Sequence, residues 1–185
     1  MSATTLSILA AEVGTSDRTL RRAVNDGVIR ATRTSPYKLA LPLAERAYIR
    51  RHWPLIATLR AGLRLEHSVE CAVLFGSIAR GDDDAGSDVD LLVWLRPGAN
   101  RLAIARRLSD RLGRRVQIVD AADATRNPSL VLSVLRDGRP LVDRAGRWET
   151  LVRRRARIAR AAKQERARTA EKAAAARKFF EAAAA

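Results

Sequence analysis

The chain has too little cysteine to be held together by disulfides. Its 185 residues include one, Cys71, inside an apolar run, where it reads as a small core residue. The expected compartment is therefore a reducing one, the cytoplasm. The two histidines, His52 and His67, have no second ligating group at a suitable spacing, so neither is expected to hold a metal, and His52 reads as a surface residue. No apolar run approaches membrane-spanning length, and the N-terminus lacks the basic and apolar regions of a signal peptide. No membrane partner is expected. Acidic residues are also short: 20 Asp and Glu face 35 Lys and Arg, for a net charge of +15.

That excess is unevenly placed. Residues 1–67 carry 11 basic against 5 acidic side chains, residues 68–150 carry 13 against 12, and residues 151–185 carry 11 against 3. A nearly neutral middle with two basic ends is the electrostatic footprint of a nucleic-acid binder. The alternative, an arginine-rich composition bias, would spread the excess evenly. At this length the chain can bury a real core, as one domain or two small ones.

The most informative run is Cys71-Ala-Val-Leu-Phe-Gly-Ser77, followed by Arg80-Gly81, an acidic turn at Asp82 to Asp84, and Ser87-Asp88-Val-Asp90-Leu-Leu-Val-Trp94. An apolar strand enters a Gly-Ser turn, and a second strand opens with two carboxylates spaced i, i+2. On a strand both point to one face, about 6 to 7 Å apart along the backbone. Two hard oxygen ligands suit Mg²⁺, which completes its shell with waters and substrate phosphates. A Gly-Ser turn opening a short helix offers bare backbone N–H groups to phosphate oxygens. Arg80, one helical turn on, is placed either to reach a phosphate or to pair with Asp82 or Asp84. Ser87 reads as a turn residue and Trp94 as packing.

These residues closely resemble the signature of the DNA polymerase β-like nucleotidyltransferase superfamily, especially its minimal branch, over roughly Val69 to Asp120. The resemblance implies that Gly76, Ser77 and Arg80 bind the triphosphate, ATP above all. It implies too that Asp88 and Asp90 hold two Mg²⁺ ions (or Mn²⁺), and that a nucleoside monophosphate passes to an acceptor hydroxyl. The family's third carboxylate falls on Gln117, in the expected third strand Val116 to Asp120. An amide neither neutralises a metal nor takes a proton well. Asp120 is the candidate to replace it as a catalytic residue, although strand alternation places it on the opposite face unless a bulge re-aims it.

Toward the N-terminus, Thr4 to Val13 and Asp17 to Asp26 read as two helices joined through Gly14, with Thr15 or Ser16 as cap and Leu20 and Val24 facing the core. Arg18, Arg21, Arg22 and Asn25 then face outward. Val28 to Ala31 reads as a strand, Thr32 to Tyr37 as a turn, and Lys38 to Leu41 as the returning strand. This segment resembles winged helix-turn-helix regulators of the MerR type, which implies DNA binding through those four residues. The competing reading is a module that packs on the catalytic domain or on a partner protein. From Leu43 to Glu66 the pattern is helical, with Ala44, Ala47, Tyr48, Leu55, Ile56, Leu59 and Leu63 as core candidates and a break or kink expected at Pro54. A later helix from Asn100 to Leu112 carries the stripe Leu102, Ile104, Ala105, Leu108 and Leu112.

Glu149 to Ala185 contains no Gly or Pro and is dominated by Ala, Arg, Lys and Glu, which predicts one long helix. Its large apolar residues lie early, at Leu151, Val152 and Ile158, and late, at Phe179 and Phe180. The stretch from Ala161 to Arg177 has little to bury and is left to solvent, to acidic surface or to a partner.

The expected fold class is α+β: a small mixed β-sheet with flanking helices in the polymerase β-like arrangement. Residues 1–50 form the winged helix-turn-helix, 51–67 a connecting helix, 68–147 the nucleotidyltransferase domain and 148–185 a basic C-terminal helix. The resemblance implies a DNA-binding nucleotidyltransferase acting on a protein or RNA, in the role of the antitoxin of a toxin–antitoxin pair. The alternative is a nucleotide-sensing transcriptional regulator impaired in catalysis. A third reading, aminoglycoside nucleotidyltransferase, lacks an acidic domain after the core. Helix-turn-helix proteins often dimerise, but no heptad marks an oligomer here.

Overall fold

The computed structural model describes residues 6–35 and 38–183. Thr4, Pro36 and Tyr37 therefore lie outside the described residues, as do the side chains of Phe179 and Phe180.

Helix α1 (Leu6–Glu12) turns through Gly14, at φ +67°, into α2 (Asp17–Asn25). Ser16 caps α2 by accepting from the Thr19 N–H at 3.1 Å. Leu20 and Ala23 are buried and Val24 half-buried, so the buried face is centred one position off the expected one. The expected strand at Val28 to Ala31 does not form. The Val28 and Ile29 N–H groups donate back to the Ala23 carbonyl at 2.9 and 3.1 Å and both side chains are buried, so this segment finishes α2. The hairpin comes later, as β1 (Thr32–Ser35) and β2 (Lys38–Ala40), antiparallel with a bulge between Arg33 and Ser35.

Helix α3 (Leu43–Leu65) runs 23 residues straight through Pro54. The expected break is absent because Pro54 and Arg50, whose carbonyl loses its i+4 donor, both lie on the exposed side. On the other side Tyr48, Ile49, Trp53, Ile56, Leu59 and Leu63 are buried, while Ala44 and Ala47 are exposed. The helix ends on Arg144, whose guanidinium donates to the carbonyls of Leu63, Arg64, Glu66 and Val69 at 2.5 to 3.2 Å.

A mixed four-stranded sheet follows, in the order β5-β4-β3-β6. Its strands are β3 (Val69–Phe75), β4 (Val89–Leu95), β5 (Val116–Asp120) and β6 (Arg139–Asp143). β3 pairs antiparallel with β4 and β6; β4 and β5 are parallel, joined by α5 (Arg101–Leu112). Asn100 caps α5 and Gly113 closes it in the left-handed region. Leu102, expected in the α5 stripe, is 76% exposed; Ile104 and Leu108 carry the contact instead.

One face of the sheet, with Ala72, Leu74, Leu91 and Val93, shares a core with α3, α5 and the N-terminal helices. The other, with Cys71, Val73 and Leu92, packs on α6 (Ala121–Ala124) and α7 (Pro128–Asp137), with α8 (Arg147–Arg153) beside it. Cys71 is fully buried, as expected of a core residue. Because Leu6, Leu9 and Leu20 share the core of Leu74 and Ile78, the N-terminal helices pack as part of one body.

A buried ion pair closes that junction. Arg139 donates to Glu45 at 2.5 and 3.0 Å and to the carbonyls of Ala79 and Val28 at 2.8 and 2.9 Å, and its guanidinium lies 3.5 Å from the centre of the Tyr48 ring. Removing one member of such a pair strands the other and costs about 3–5 kcal/mol.

The C-terminal segment is two helices, α8 and α9 (Arg155–Ala183), separated at Arg154. The break lets α9 fold onto α7. Ala162 is buried, and Glu165 accepts from Ser129 N–H and Oγ at 3.3 and 2.8 Å, at the positive end of α7. Docking thus extends into the start of the stretch left to solvent, acidic surface or a partner; from Arg166 to Ala176 the helix is exposed.

Candidate functional site

β3 ends at Phe75, and Gly76 opens α4 (Gly76–Arg80) at φ +77°. Phe75 sits opposite Asp90 in the β3–β4 register, which lays the Asp90 carboxylate against the Gly76 Cα. A Cβ at position 76 would collide with Asp90 Oδ2 and lie 3.3 Å from its Cγ. Glycine is therefore required twice, by its positive φ and by this approach. Ser77 follows on the first turn, and Gly81 ends α4 at φ +88°.

Asp88 and Asp90 flank Val89, which is fully buried, so the two carboxylates emerge on one face at the start of β4. Burial, and then the neighbouring Asp88 charge, raise the Asp90 carboxyl above its ordinary range; Arg80 pulls the other way. Two hard oxygen donors whose ionised forms repel each other, beside a cradle that a side chain would fill, fit a divalent cation and a phosphate.

The parallel register places Gln117 beside Asp90, in the position expected for a third carboxylate. Its amide Nε2 donates to Asp88 Oδ2, and Arg115 Nη1 stands 3.6 Å from the same oxygen. Asp120 pairs with Val93, three positions further along an unbroken register, and its carboxylate accepts from the Ala122 N–H at 2.8 Å as the cap of α6. The fold does not bring Asp120 to Asp88 and Asp90. Among the described residues, no group of three or more Asp, Glu, His or Cys is placed to share a metal.

The loop between Arg80 and Asp88 is fastened down. Arg80 pairs with Asp82 at 3.0 Å on the surface, one of its two expected partners. Ser87 exchanges hydrogen bonds with Asp84 at 2.8 and 2.9 Å, as a turn residue should. Asp83 turns inward, where His52 Nε2 meets its Oδ1 at 2.7 Å. Arg51 donates to the Asp83 carbonyl; Arg114 donates to the carbonyls of Ser87 and Asp84, both at 2.5 Å.

His52 is thus buried, not on the surface. It stacks on Tyr48 at 4.4 Å, and Tyr48 carries the contact on to Arg139. Burial opposes ionisation of Asp83, but the His52 hydrogen bond and the charges of His52 and Arg51 outweigh it and hold its carboxyl low. Sequence spacing offered one hint of this chain: Tyr48 and His52 fall at i, i+4 among buried residues of α3.

On α2, Arg18, Arg21, Arg22 and Asn25 are all exposed. Arg21 pairs with Asp17 at 2.6 Å, and Asn25 accepts from Arg33 at 3.4 Å. Arg60 of α3 pairs with Asp26 just past them.

A family model described as "Polymerase beta, Nucleotidyltransferase" matches residues 58–147, from the second half of α3 to the start of α8. Two solved structures share its fold. One, a toxin–antitoxin crystallised with AMP-PNP, aligns at TM-score 0.54 and 21% identity, over 64% of this chain and 97% of its own. The other, a mutant of the toxin–antitoxin MntA-HpeT, aligns at TM-score 0.51 and 20% identity, over 66% of this chain and 98% of its own. No curated protein matches the chain.

Proposed function

We propose that this protein binds a metal–nucleoside triphosphate, ATP above all, and transfers its nucleoside monophosphate to a hydroxyl of a protein or RNA partner. The observation that carries this reading is the Asp90 carboxylate packed against a positive-φ Gly76, which sets the carboxylate pair beside a phosphate cradle. Gly76 and Ser77 hold the triphosphate with Arg80 at its edge, and Asp88 and Asp90 hold the metal, Mg²⁺ or Mn²⁺. Bound there, the metal supplies charge neutralisation for the phosphates and the leaving pyrophosphate.

In the transfer, an acceptor oxygen bonds to the α-phosphorus as the bond to pyrophosphate breaks, and the hydroxyl proton leaves. Gln117 cannot take that proton, and Asp120 is engaged with α6. The missing base lowers the rate by about 10² to 10⁴. The acceptor we favour is a partner toxin, by likeness to the toxin–antitoxin crystallised with AMP-PNP. Arg18, Arg21, Arg22 and Asn25 are proposed to contact DNA, as in a regulator acting on its own operon.

A second reading follows from Gln117. By donating to Asp88 it satisfies one carboxylate oxygen without adding charge, which suits a nucleotide sensor that binds but does not turn over. One experiment separates the two. The protein is incubated with Mg²⁺ and α-labelled triphosphates, alone and with the product of the adjacent gene. Label that reaches protein or RNA and disappears in Asp88→Asn/Asp90→Asn supports transfer. Tight triphosphate binding with no label on any acceptor supports the sensor.

A further inference from the structure

The strand that carries the carboxylates also forms the wall of a cavity. Asp90, Leu92 and Trp94 alternate onto one face of β4, so Leu92 and Trp94 continue the line that begins at the metal site. They line a cavity of about 310 Å³ closed by α6, α7, α8 and α9. Its inner surface is apolar, with Leu92, Ala124 and Val131 buried and Leu151 and Ile158 half-buried. Its exposed rim is basic: Arg147, Arg154 and Arg157, with Thr125 and Thr150 between them.

Two of the three rim arginines, like the exposed Arg18 and Arg22, form no ion pair among the described residues. Arg114, Arg139 and Arg144 spend their donors on carbonyls and carboxylates, and Arg147 pairs with Glu70 at 2.8 Å. Arg154 and Arg157 have no acidic partner among the described residues. The break between α8 and α9 falls at Arg154, so the bend that closes the cavity also sets this guanidinium at its mouth.

We propose that this cavity is a second binding site, for a small anion with an apolar body. An inorganic anion would leave the apolar interior unfilled. A neutral apolar molecule would fill it and leave two guanidiniums unmatched at the mouth. A ligand carrying one carboxylate, sulfonate or phosphate on a body of aromatic or branched aliphatic carbon satisfies both, and the volume lies at the small end of ligand sites. We take the site as separate from the carboxylate pair: along β4 its wall begins at Leu92, two residues or about 7 Å from Asp90, and runs to Trp94, about 13 Å away, on the side away from Gly76.

The test uses the full chain and anilinonaphthalene sulfonate as probe, followed by its fluorescence, with octanoate as competitor. Saturable one-to-one binding displaced by octanoate is expected. Replacing both arginines, Arg154→Gln with Arg157→Gln, should weaken it about tenfold or more. Ala161→Leu, which fills the cavity from α9 without loss of helix propensity, should abolish it. Asp88→Asn/Asp90→Asn should leave it unchanged. Absence of saturable binding overturns the proposal, as does affinity unaffected by the arginine pair. Loss of binding in the aspartate variant overturns the claim of a separate site. If Ala161→Leu lowers the thermal midpoint, the arginine variant, altered only at exposed positions, decides alone.

Discussion

His52 Nε2 lies 2.7 Å from Asp83 Oδ1, and both side chains are buried. This contact anchors the loop leading to Asp88 onto α3, the helix whose Glu45 end grips Arg139. Asp83→Ala should therefore destabilise the protein by about 3 kcal/mol, because it leaves the buried His52 Nε2 unpaired and removes the carboxylate that Arg51 and Arg114 approach at 3.5 and 3.6 Å. Urea unfolding followed by circular dichroism would read this. A loss below about 0.5 kcal/mol would mean that water replaces the carboxylate and the loop is not held here.

The same pair gives a pH dependence. The Asp83 carboxyl is lowered in the folded chain, so its contribution is fully present above the unfolded carboxylate value, about 4. It is lost as pH falls through the lower folded value. His52, Arg51 and Arg114 face it from α3 and the turn before β5. Stability of the wild type should fall more steeply below pH 4 than that of Asp83→Asn, and the two curves should converge in strong acid. Parallel curves would remove Asp83 from the account.

Gly76→Ala should damage fold and site together. A methyl there meets the Asp90 carboxylate, and the left-handed φ costs a non-glycine residue about 1–2 kcal/mol before the collision is counted. The expected outcome is a lowered thermal midpoint and loss of the stabilisation that Mg²⁺ with ATP gives the wild type. Thermal shift with and without the nucleotide measures both. Retained nucleotide stabilisation would mean that the phosphates do not approach Gly76.

What could be read in the chain beforehand was what is local in it. Gly76, Ser77, Asp88 and Asp90 fall within fifteen residues, and strand alternation alone aligns the two carboxylates. Gln117 was equally legible, because the parallel register sets it beside Asp90 with no bulge to alter the count. His52 and Asp83 are 31 positions apart, and an aspartate in the run 82–84 carries no mark of turning inward. Arg154 is similar: nothing in an Arg-rich, Gly-free segment signals a break that the packing of α9 on α7 imposes. Val28 and Ile29 misled for the opposite reason. Their β-branched side chains suit a strand, but burial with α2 outweighs propensity there.

Gln117→Asp tests the catalytic question directly. A carboxylate there supplies the missing base and should raise transfer of labelled nucleotide by about 10² or more. It also sets a third negative charge beside Asp88 and Asp90 and removes the amide donor to Asp88. The variant should therefore be less stable than wild type without metal and gain more from Mg²⁺. If transfer stays flat while Mg²⁺ stabilisation rises, position 117 governs metal binding only, and the proton must leave by another route.

The basic face of α2 makes a separate prediction about partners. Arg18, Arg21, Arg22 and Asn25 are exposed together, while Leu20 and Ala23 hold the helix to the core, so substitutions on the outer face should not unfold it. Binding to the DNA upstream of the gene should weaken steeply with salt, because each phosphate contact releases counterions. Arg22→Ala should lower affinity and reduce the salt slope by about 1. Arg21→Ala should do less, since Arg21 already pairs with Asp17 at 2.6 Å and must leave that carboxylate to reach a phosphate. Fluorescence anisotropy across a salt series measures affinity and slope together. If both variants keep the wild-type slope, the contact shifts to the exposed basic length of α9, where Arg166→Ala and Arg168→Ala should then carry it.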